Sequence, residues 1–359
     1  MTRLPPPAIA TVAEMARNGL DTLKRTIVPA PIALLDLIND FWAFHVAFTL
    51  AELQVADALR HHARSAEDVA RELGVDADML YRVLRAATML GLCEERADRV
   101  FALKAIGLAL CQDEEASFRD FLVYMGNYGT RFWRRLPDCV RTGMSAIELE
   151  TGRKSFDYLN SDQTVFDDFN RAMTATSNIA CDAFTAAYDL SFASQVVDIG
   201  GGHGRLLGGI LRQYPRLRGV LFDQPDVVAG AAPKLDALGI GTRVEIVGGD
   251  FFHSVPSGAD CYIAKSIIHN WSDDEAYTIL TNIRRAMAPN ARVLLYEAIV
   301  GAPNVASFAK FLDVQMIIDA SGRERTAEEY RALFSRAGLV MQRIVSTATP
   351  LAILEARAA

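Results

Sequence analysis

The stretch Val197-Asp198-Ile199-Gly200-Gly201-Gly202-His203-Gly204 constrains this chain more than any other. Four glycines in five residues follow a short β-prone run. They let the backbone turn sharply from strand to helix and approach a ligand closely. The surroundings repeat the same alternation after Ser191. Strands are predicted at 195–199, 219–222, 243–247, 261–264 and 292–296, with helices between them, the first over 205–213. Strands alternating with helices imply a parallel sheet covered on both faces. The last segment, 340–356, alternates apolar and polar residues around Thr349-Pro350 and is predicted to close the sheet as an antiparallel hairpin.

Two nucleotide readings fit a glycine loop in this place. Gly200 and Gly202 match a dinucleotide fingerprint GxGxxG, but the sixth position is Arg205, and Asp198 stands where dehydrogenases carry an apolar residue. S-adenosylmethionine carries an ammonium and a sulfonium, so an acid beside the loop suits it better than it suits a pyrophosphate. Further acids fall at successive strand ends. Asp223 closes Val220-Leu221-Phe222-Asp223 and can accept ribose hydroxyls. Asp250, in Gly248-Gly249-Asp250-Phe251-Phe252, can accept the adenine amino group while Phe251 packs on the ring. All three face one crevice, as expected of an open parallel sheet. His269 stands just past the fourth strand, in Lys265-Ser266-Ile267-Ile268-His269-Asn270-Trp271, beside that crevice, and is the candidate base. Glu297, at the end of the fifth strand, or Glu324, in Gly322-Arg323-Glu324-Arg325-Thr326, could orient its imidazole.

The first third reads differently. A helix is expected near 11–25, ended by Pro29 and Pro31, and a strongly apolar one over 32–59. A helix apolar on most sides is buried in a core or against a partner. Ser65 can cap a helix over 66–73 stopped by Gly74, and Asp76 or Asp78 a second one stopped by Gly91. A hairpin at 92–95 and 100–103 completes a winged-helix pattern. A DNA reader needs a basic face, but Arg64 to Lys104 holds seven Lys and Arg against eight Asp and Glu. Residues 115–190 are helical and rich in aromatics, from Phe118 to Phe169. Most of these are expected in the core, with some lining a pocket for a flat apolar ligand.

Composition bounds the remaining classes. The 359 residues suggest two domains, and a net charge of −7 disfavours phosphate backbones and anionic membranes. The apolar run around 41–50 is about ten residues against the roughly 20 of a membrane span. The prolines and early Glu14 do not make a secretory signal. Five cysteines without a CxxC pair suit a reducing compartment, so the expectation is a cytoplasmic protein with no nucleic-acid or membrane partner. Six scattered histidines and no HExxH offer no metal site.

These residues, in this order, resemble the small-molecule O-methyltransferase family typified by caffeic acid and acetylserotonin O-methyltransferases, including bacterial natural-product members. The likeness spans the winged module, Phe169-Asn170-Arg171-Ala172-Met173, the glycine loop, Phe222-Asp223, Gly249-Asp250-Phe251, Lys265, His269-Asn270-Trp271, Glu297 and the Gly322–Thr326 segment. Family members often carry His-Asp-Trp where this chain has Asn270, and Met at the place of Phe251; neither departure touches the base. The resemblance implies a class I methyltransferase α/β fold with a Rossmann-like sheet. It divides the chain into a dimerisation domain over 1–110, a helical pocket segment over 111–190 and a catalytic domain over 191–359. It implies that Asp198, Gly200, Gly202, Asp223, Asp250, Phe251 and Lys265 bind S-adenosylmethionine, that His269 is the base, and that Glu297 and Glu324 flank it. It further implies a homodimer, no metal, and methylation of a hydroxyl on a small aromatic acceptor. N- or C-methylation on the same scaffold, a metabolite-sensing winged-helix regulator and a nicotinamide-dependent dehydrogenase are the alternatives.

Overall fold

The computed structural model describes residues 5–114, 116–319 and 322–359; the opening Met1–Leu4 of the Pro-rich start lies outside them. The chain divides into two compact units. One comprises Ala16–Arg131 and Leu159–Thr176. The other comprises Phe132–Tyr158 and Ser177–Ala359, with residues 5–15.

In the first unit, Arg64–Ser65 (β1), Cys93–Arg96 (β2) and Val100–Leu103 (β3) form an antiparallel sheet in the order β1-β3-β2. The helix Ala66–Leu73 starts where the Ser65 hydroxyl accepts the Asp68 N–H and stops at Gly74, whose φ of +68° is left-handed. Asp76, not Asp78, caps Ala77–Met89 by accepting the Met79 N–H at 2.8 Å. Leu50, Val55, Leu59, Val69, Leu80, Leu84 and Phe101 form the buried core of this winged helix. The apolar helix expected over 32–59 is two helices, Ala30–Glu52 and Val55–Leu59, broken where Gln54 turns left-handed. A left-handed residue other than glycine costs roughly 1–2 kcal/mol. The five-residue helix after it buries Val55 and Leu59, each worth roughly 1.5–3 kcal/mol, so the break is favourable.

Ala30–Glu52 also corrects the membrane estimate. The ten-residue run belongs to one 23-residue helix, which by length and composition is apolar enough to cross a membrane. Within the chain its first half is uncovered, with Leu34, Leu35, Phe41 and Trp42 each more than half exposed.

The second unit holds seven strands: Gln195–Ile199 (β4), Arg218–Asp223 (β5), Val244–Gly248 (β6), Cys261–Lys265 (β7), Arg292–Ala298 (β8), Leu339–Ser346 (β9) and Leu351–Ala358 (β10). Their order is β6-β5-β4-β7-β8-β10-β9, parallel through β8 and closed by the antiparallel hairpin β9-β10. Alternate residues serve opposite faces. Val197, Ile199, Val220 and Phe222 join one buried layer with Ile279 and Ile283. Val196, Leu221, Ile263 and Leu294 join the other with Leu207, Ile210 and Phe184. The strand order reverses at β4, between β5 and β7, and the crevice outside the carboxyl ends opens there.

The aromatic-rich segment departs from its reading. Of the ten aromatics singled out between Phe118 and Phe169, only Phe132 is fully buried; the others are half-buried. Between 119 and 159 the helices run four to seven residues, including a π-helical turn at Met125–Gly129. Elements so short cannot present a continuous apolar stripe to a core.

Candidate active site at the carboxyl ends of the parallel strands

β4 delivers the chain into the glycine loop. Gly200 and Gly202 are left-handed (φ +65° and +58°), and a Cβ on Gly200 would overlap the Ile267 side chain. The Gly202 N–H donates to Asp223 Oδ2 at 2.8 Å, so the acid ending β5 holds the loop. Asp223 Oδ1 accepts the Gln224 N–H at 2.7 Å. A carboxylate offers about four lone-pair sites, which leaves room for two further donors such as a ribose diol. Asp198 lies beneath the loop, 2% exposed, with Oδ2 lacking a hydrogen-bond partner. Burial pushes its carboxyl up to about 7, with Lys265 opposing and Asp223 adding to the shift. A buried acid with an unused oxygen beside a backbone cradle fits a cationic or donor-bearing ligand, and in this respect the loop fits S-adenosylmethionine.

Asp250 follows β6, and the Gly249 N–H beside it donates to the Asp223 carbonyl at 2.9 Å. Its carboxylate is exposed and already engaged, accepting the Phe252 N–H and meeting His253 Nδ1, both at 2.8 Å. Phe251 stands edge-on to Phe252 and Trp271. The Asn282 amide donates to the Phe251 and Phe252 carbonyls at 2.9 Å and fixes this turn. His253 and Asn282 lie in no recognisable motif, so nothing in the sequence singles them out. Lys265 ends β7. Burial pulls its ammonium below the ordinary value, and Glu297 and Asp198 work in the other direction. Lys265 therefore interacts with the acid under the glycine loop and with the acid behind the candidate base.

His269 sits in the 3₁₀ turn Ile268–Asn270 directly after β7 and is 7% exposed. Its Nδ1 lies 2.5 Å from Glu324 Oε1 and 4.0 Å from Glu297 Oε2. Glu297 is fully buried on β8, and its Oε1 accepts the Ile267 and Ile268 N–H groups at 3.0 and 2.8 Å. Ile299, just beyond β8, bridges to Arg325, which brings Glu324 beside Glu297. The Arg325 guanidinium is buried and donates to the Ile268 and Trp271 carbonyls, clamping the turn on both sides of His269. A Cβ on Gly322 would overlap the His269 carbonyl, so only glycine allows this close approach.

Burial disfavours the charged imidazole, but Glu297 and Glu324 together hold His269 above the ordinary histidine value. Burial also raises Glu297; His269 opposes the rise and Glu324 adds to it. With a carboxylate at Nδ1, that nitrogen carries the proton and Nε2 keeps the basic lone pair. The fold also corrects the reading that no metal-ligand cluster exists. His269, Glu297 and Glu324 place ligand atoms within 4.8 Å of one another. The 2.5 Å between Nδ1 and Glu324 Oε1 matches a shared proton. Two ligands on one ion, each at about 2.1 Å, stand roughly 3 Å or more apart.

Phe156, one of the aromatics read as core or pocket lining, and two residues outside the expected set, Gln315 and Asp319, are linked to the same region. Phe156 stacks on Trp271, with ring centroids 5.5 Å apart and an 18° interplanar angle. Asp319, at the end of the helix Phe308–Asp319, interacts electrostatically with His269 and accepts the Gln315 side-chain amide. Asp319 and Gln315 carry no sequence signal beyond a polar pair four residues apart on an apolar helix.

A model of the O-methyltransferase domain matches residues 133–340, and one of the O-methyltransferase dimerisation domain matches 35–113. A phenazine O-methyltransferase of Lysobacter antibioticus is 35% identical over 330 residues, covering 92% of this chain and 97% of the relative. An 8-amino-8-demethylriboflavin N,N-dimethyltransferase of Streptomyces davaonensis is 32% identical, over 87% of this chain and 91% of the relative. Human N-acetylserotonin methyltransferase, solved with S-adenosylmethionine, superposes with a TM-score of 0.85 at 25% identity, over 92% of this chain and 98% of that one. Sheet order, glycine loop and matched domains agree: the chain belongs to the S-adenosylmethionine-dependent O-methyltransferases of the bacterial natural-product type, with the dimerisation domain of that family at its N-terminal side.

Proposed function

We propose that this protein methylates a hydroxyl of a small aromatic molecule, with His269 as general base. The observation that carries the reading is the buried His269–Glu324 contact at 2.5 Å, with Glu297 close behind. Asp198, Gly200, Gly202, Asp223, Asp250, Phe251 and Lys265 would hold S-adenosylmethionine, which supplies an electrophilic methyl on its sulfonium. Asp198 offers its unused oxygen to a cationic group, Asp223 its remaining lone pairs to ribose hydroxyls, and Phe251 a ring face to the adenine.

An ordinary histidine, near ~6.5, cannot fully deprotonate a phenol near ~10 without a cost of about 3.5 units, roughly 5 kcal/mol. Nε2 instead takes the proton as the acceptor oxygen commits to bonding, and the two glutamates stabilise the imidazolium that forms. Their effect on His269 narrows the gap from the histidine side. No metal is needed in this scheme. The reading includes a cytoplasmic homodimer, with no nucleic-acid or membrane partner, built on the 1–110, 111–190 and 191–359 division. The uncovered apolar side chains of Ala30–Glu52 support a second copy as their cover.

Transfer to nitrogen is the second reading, favoured by the N,N-dimethyltransferase among the relatives. The deciding experiment supplies methyl-labelled S-adenosylmethionine with matched phenols and anilines and locates the label by mass spectrometry. Label on oxygen, lost in His269→Ala, supports the proposal; label on nitrogen alone replaces it.

A further inference from the structure

The turn that carries His269 begins on a strained residue. β7 ends at Lys265, and Ser266 after it is left-handed, with φ +54°. Glycine takes this region freely, but a residue with a Cβ is strained in it and stays only where its surroundings hold it. The Ser266 N–H donates to the Tyr296 carbonyl at 3.1 Å and continues the pairing of β7 with β8. The Ser266 carbonyl accepts the Asn270 side-chain amide, also at 3.1 Å. Asn270 thus closes a ring over residues 266–270, and that ring contains what the base depends on. The Ile267 and Ile268 N–H groups donate to Glu297 Oε1, and His269 meets Glu324. The Asn270 N–H returns to the Ile267 carbonyl at 3.1 Å. Arg325 holds the Ile268 and Trp271 carbonyls, so the end at Ser266 is left to Asn270. The contact needs a donor, because the carbonyl only accepts; an ionised aspartate in the same place would set two acceptors against each other.

We propose that Asn270 is a positioning residue for the base: by holding the Ser266 carbonyl, its amide keeps the left-handed turn in the arrangement that brings His269 onto Glu324. It acts through the backbone, not on the reacting atoms. Without it, Ser266 relaxes toward the unstrained regions of φ, which swings the Ile267 and Ile268 amides off Glu297 and carries the imidazole with them. A base displaced on the ångström scale loses catalysis even when it is chemically intact. The inference rests on the proposed role of His269.

The test uses the full-length protein as wild type, as Asn270→Ala, and as Asn270→Ala combined with Ser266→Gly. Histidine-labelled protein loaded with S-adenosylhomocysteine is titrated by NMR to read the His269 midpoint, and turnover is measured on the phenol that the label assay shows to be methylated fastest. In Asn270→Ala the midpoint should fall toward the ordinary ~6.5 as the contact with Glu324 loosens. Its kcat should drop about 5–30-fold, with S-adenosylhomocysteine affinity within about threefold of the wild type. Adding Ser266→Gly should restore most of both, because glycine takes the left-handed turn without the tie. A midpoint unchanged in Asn270→Ala overturns the inference, as does a loss that Ser266→Gly does not repair. Should Asn270→Ala fail to fold, a folded double variant with the wild-type midpoint supports the inference, and a double variant that also fails overturns it. If the wild type methylates no phenol while the midpoints move as expected, the O-methylation reading fails and the positioning role stands. Phenol methylation with an unmoved midpoint refutes the positioning role alone.

Discussion

Glu324 Oε1 lies 2.5 Å from Nδ1 of His269, although 55 residues separate the two in the chain. The pair is buried, and Glu324 is itself positioned by its own N–H, which donates to Asp313 Oδ1 at 2.9 Å. The contact sets the tautomer, and with Glu297 it sets the direction in which the imidazole's proton affinity moves.

Removing the imidazole tests its role directly. His269→Ala should lower kcat on a phenolic acceptor by about 10²–10⁴-fold, the usual yield of a positioned base. Calorimetric affinity for S-adenosylhomocysteine should stay within about twofold, since no cofactor-loop residue bonds to this ring. Normal turnover in the variant would make His269 structural.

Glu324→Gln should cost less than His269→Ala, because the amide can still accept from Nδ1–H. Its signature is in the pH profile. The working base must be unprotonated, and its carboxylates raise its pKa, so the acidic limb of kcat lies above the ordinary ~6.5. Losing one negative charge lowers that pKa, so the limb should move to lower pH. A shift to higher pH, or none, would contradict the electrostatic role.

Asp198 gives a stability prediction. Its folded pKa, about 7, exceeds an unfolded value near ~3.9. Ionising it in the ligand-free fold is therefore costly. The stability it contributes is full below pH ~4 and is lost as pH rises through about 7, to a limit of roughly 4 kcal/mol. Asp198→Asn should thus gain Tm relative to the wild type at pH 8 and much less at pH 5, while binding S-adenosylmethionine more weakly. Thermal melts at both pH values and one titration decide it; a Tm difference independent of pH would count against the buried charge.

Ile38→Asp combined with Phe41→Asp should convert a dimer to a monomer, because both side chains lie uncovered on Ala30–Glu52. Burying each is worth roughly 1.5–3 kcal/mol, and a charge there reverses the sign. Light scattering at low micromolar concentration should read twice the chain mass for the wild type. A monomeric wild type would remove the proposed role of this helix.

EDTA treatment and added Mg²⁺ should leave the rate unchanged within error, because His269 and Glu324 stand at the spacing of a shared proton. Loss of activity with EDTA, restored by one divalent ion, would turn the His269, Glu297 and Glu324 cluster into a metal site.

Local chemistry made much of this protein legible from its residues. Ser65, Gly74 and Asp76 mark helix ends because caps and left-handed stops act within a few residues. The strand β4 and the helix Arg205–Gln213 fall where predicted, since a glycine loop permits no other passage between them. Periodicity alone does not fix which distant groups meet. Both glutamates were candidates to orient His269. The structure gives that contact to Glu324, because the amides of Ile267 and Ile268 occupy one oxygen of Glu297 and leave the other 4.0 Å away. The break at Gln54 depends on the core that receives Val55 and Leu59, and the Trp133–Gln315 bond joins residues 182 apart. Such contacts are decided by what shares a buried volume after the chain has packed, where an unpaired polar atom costs more than any local preference offers.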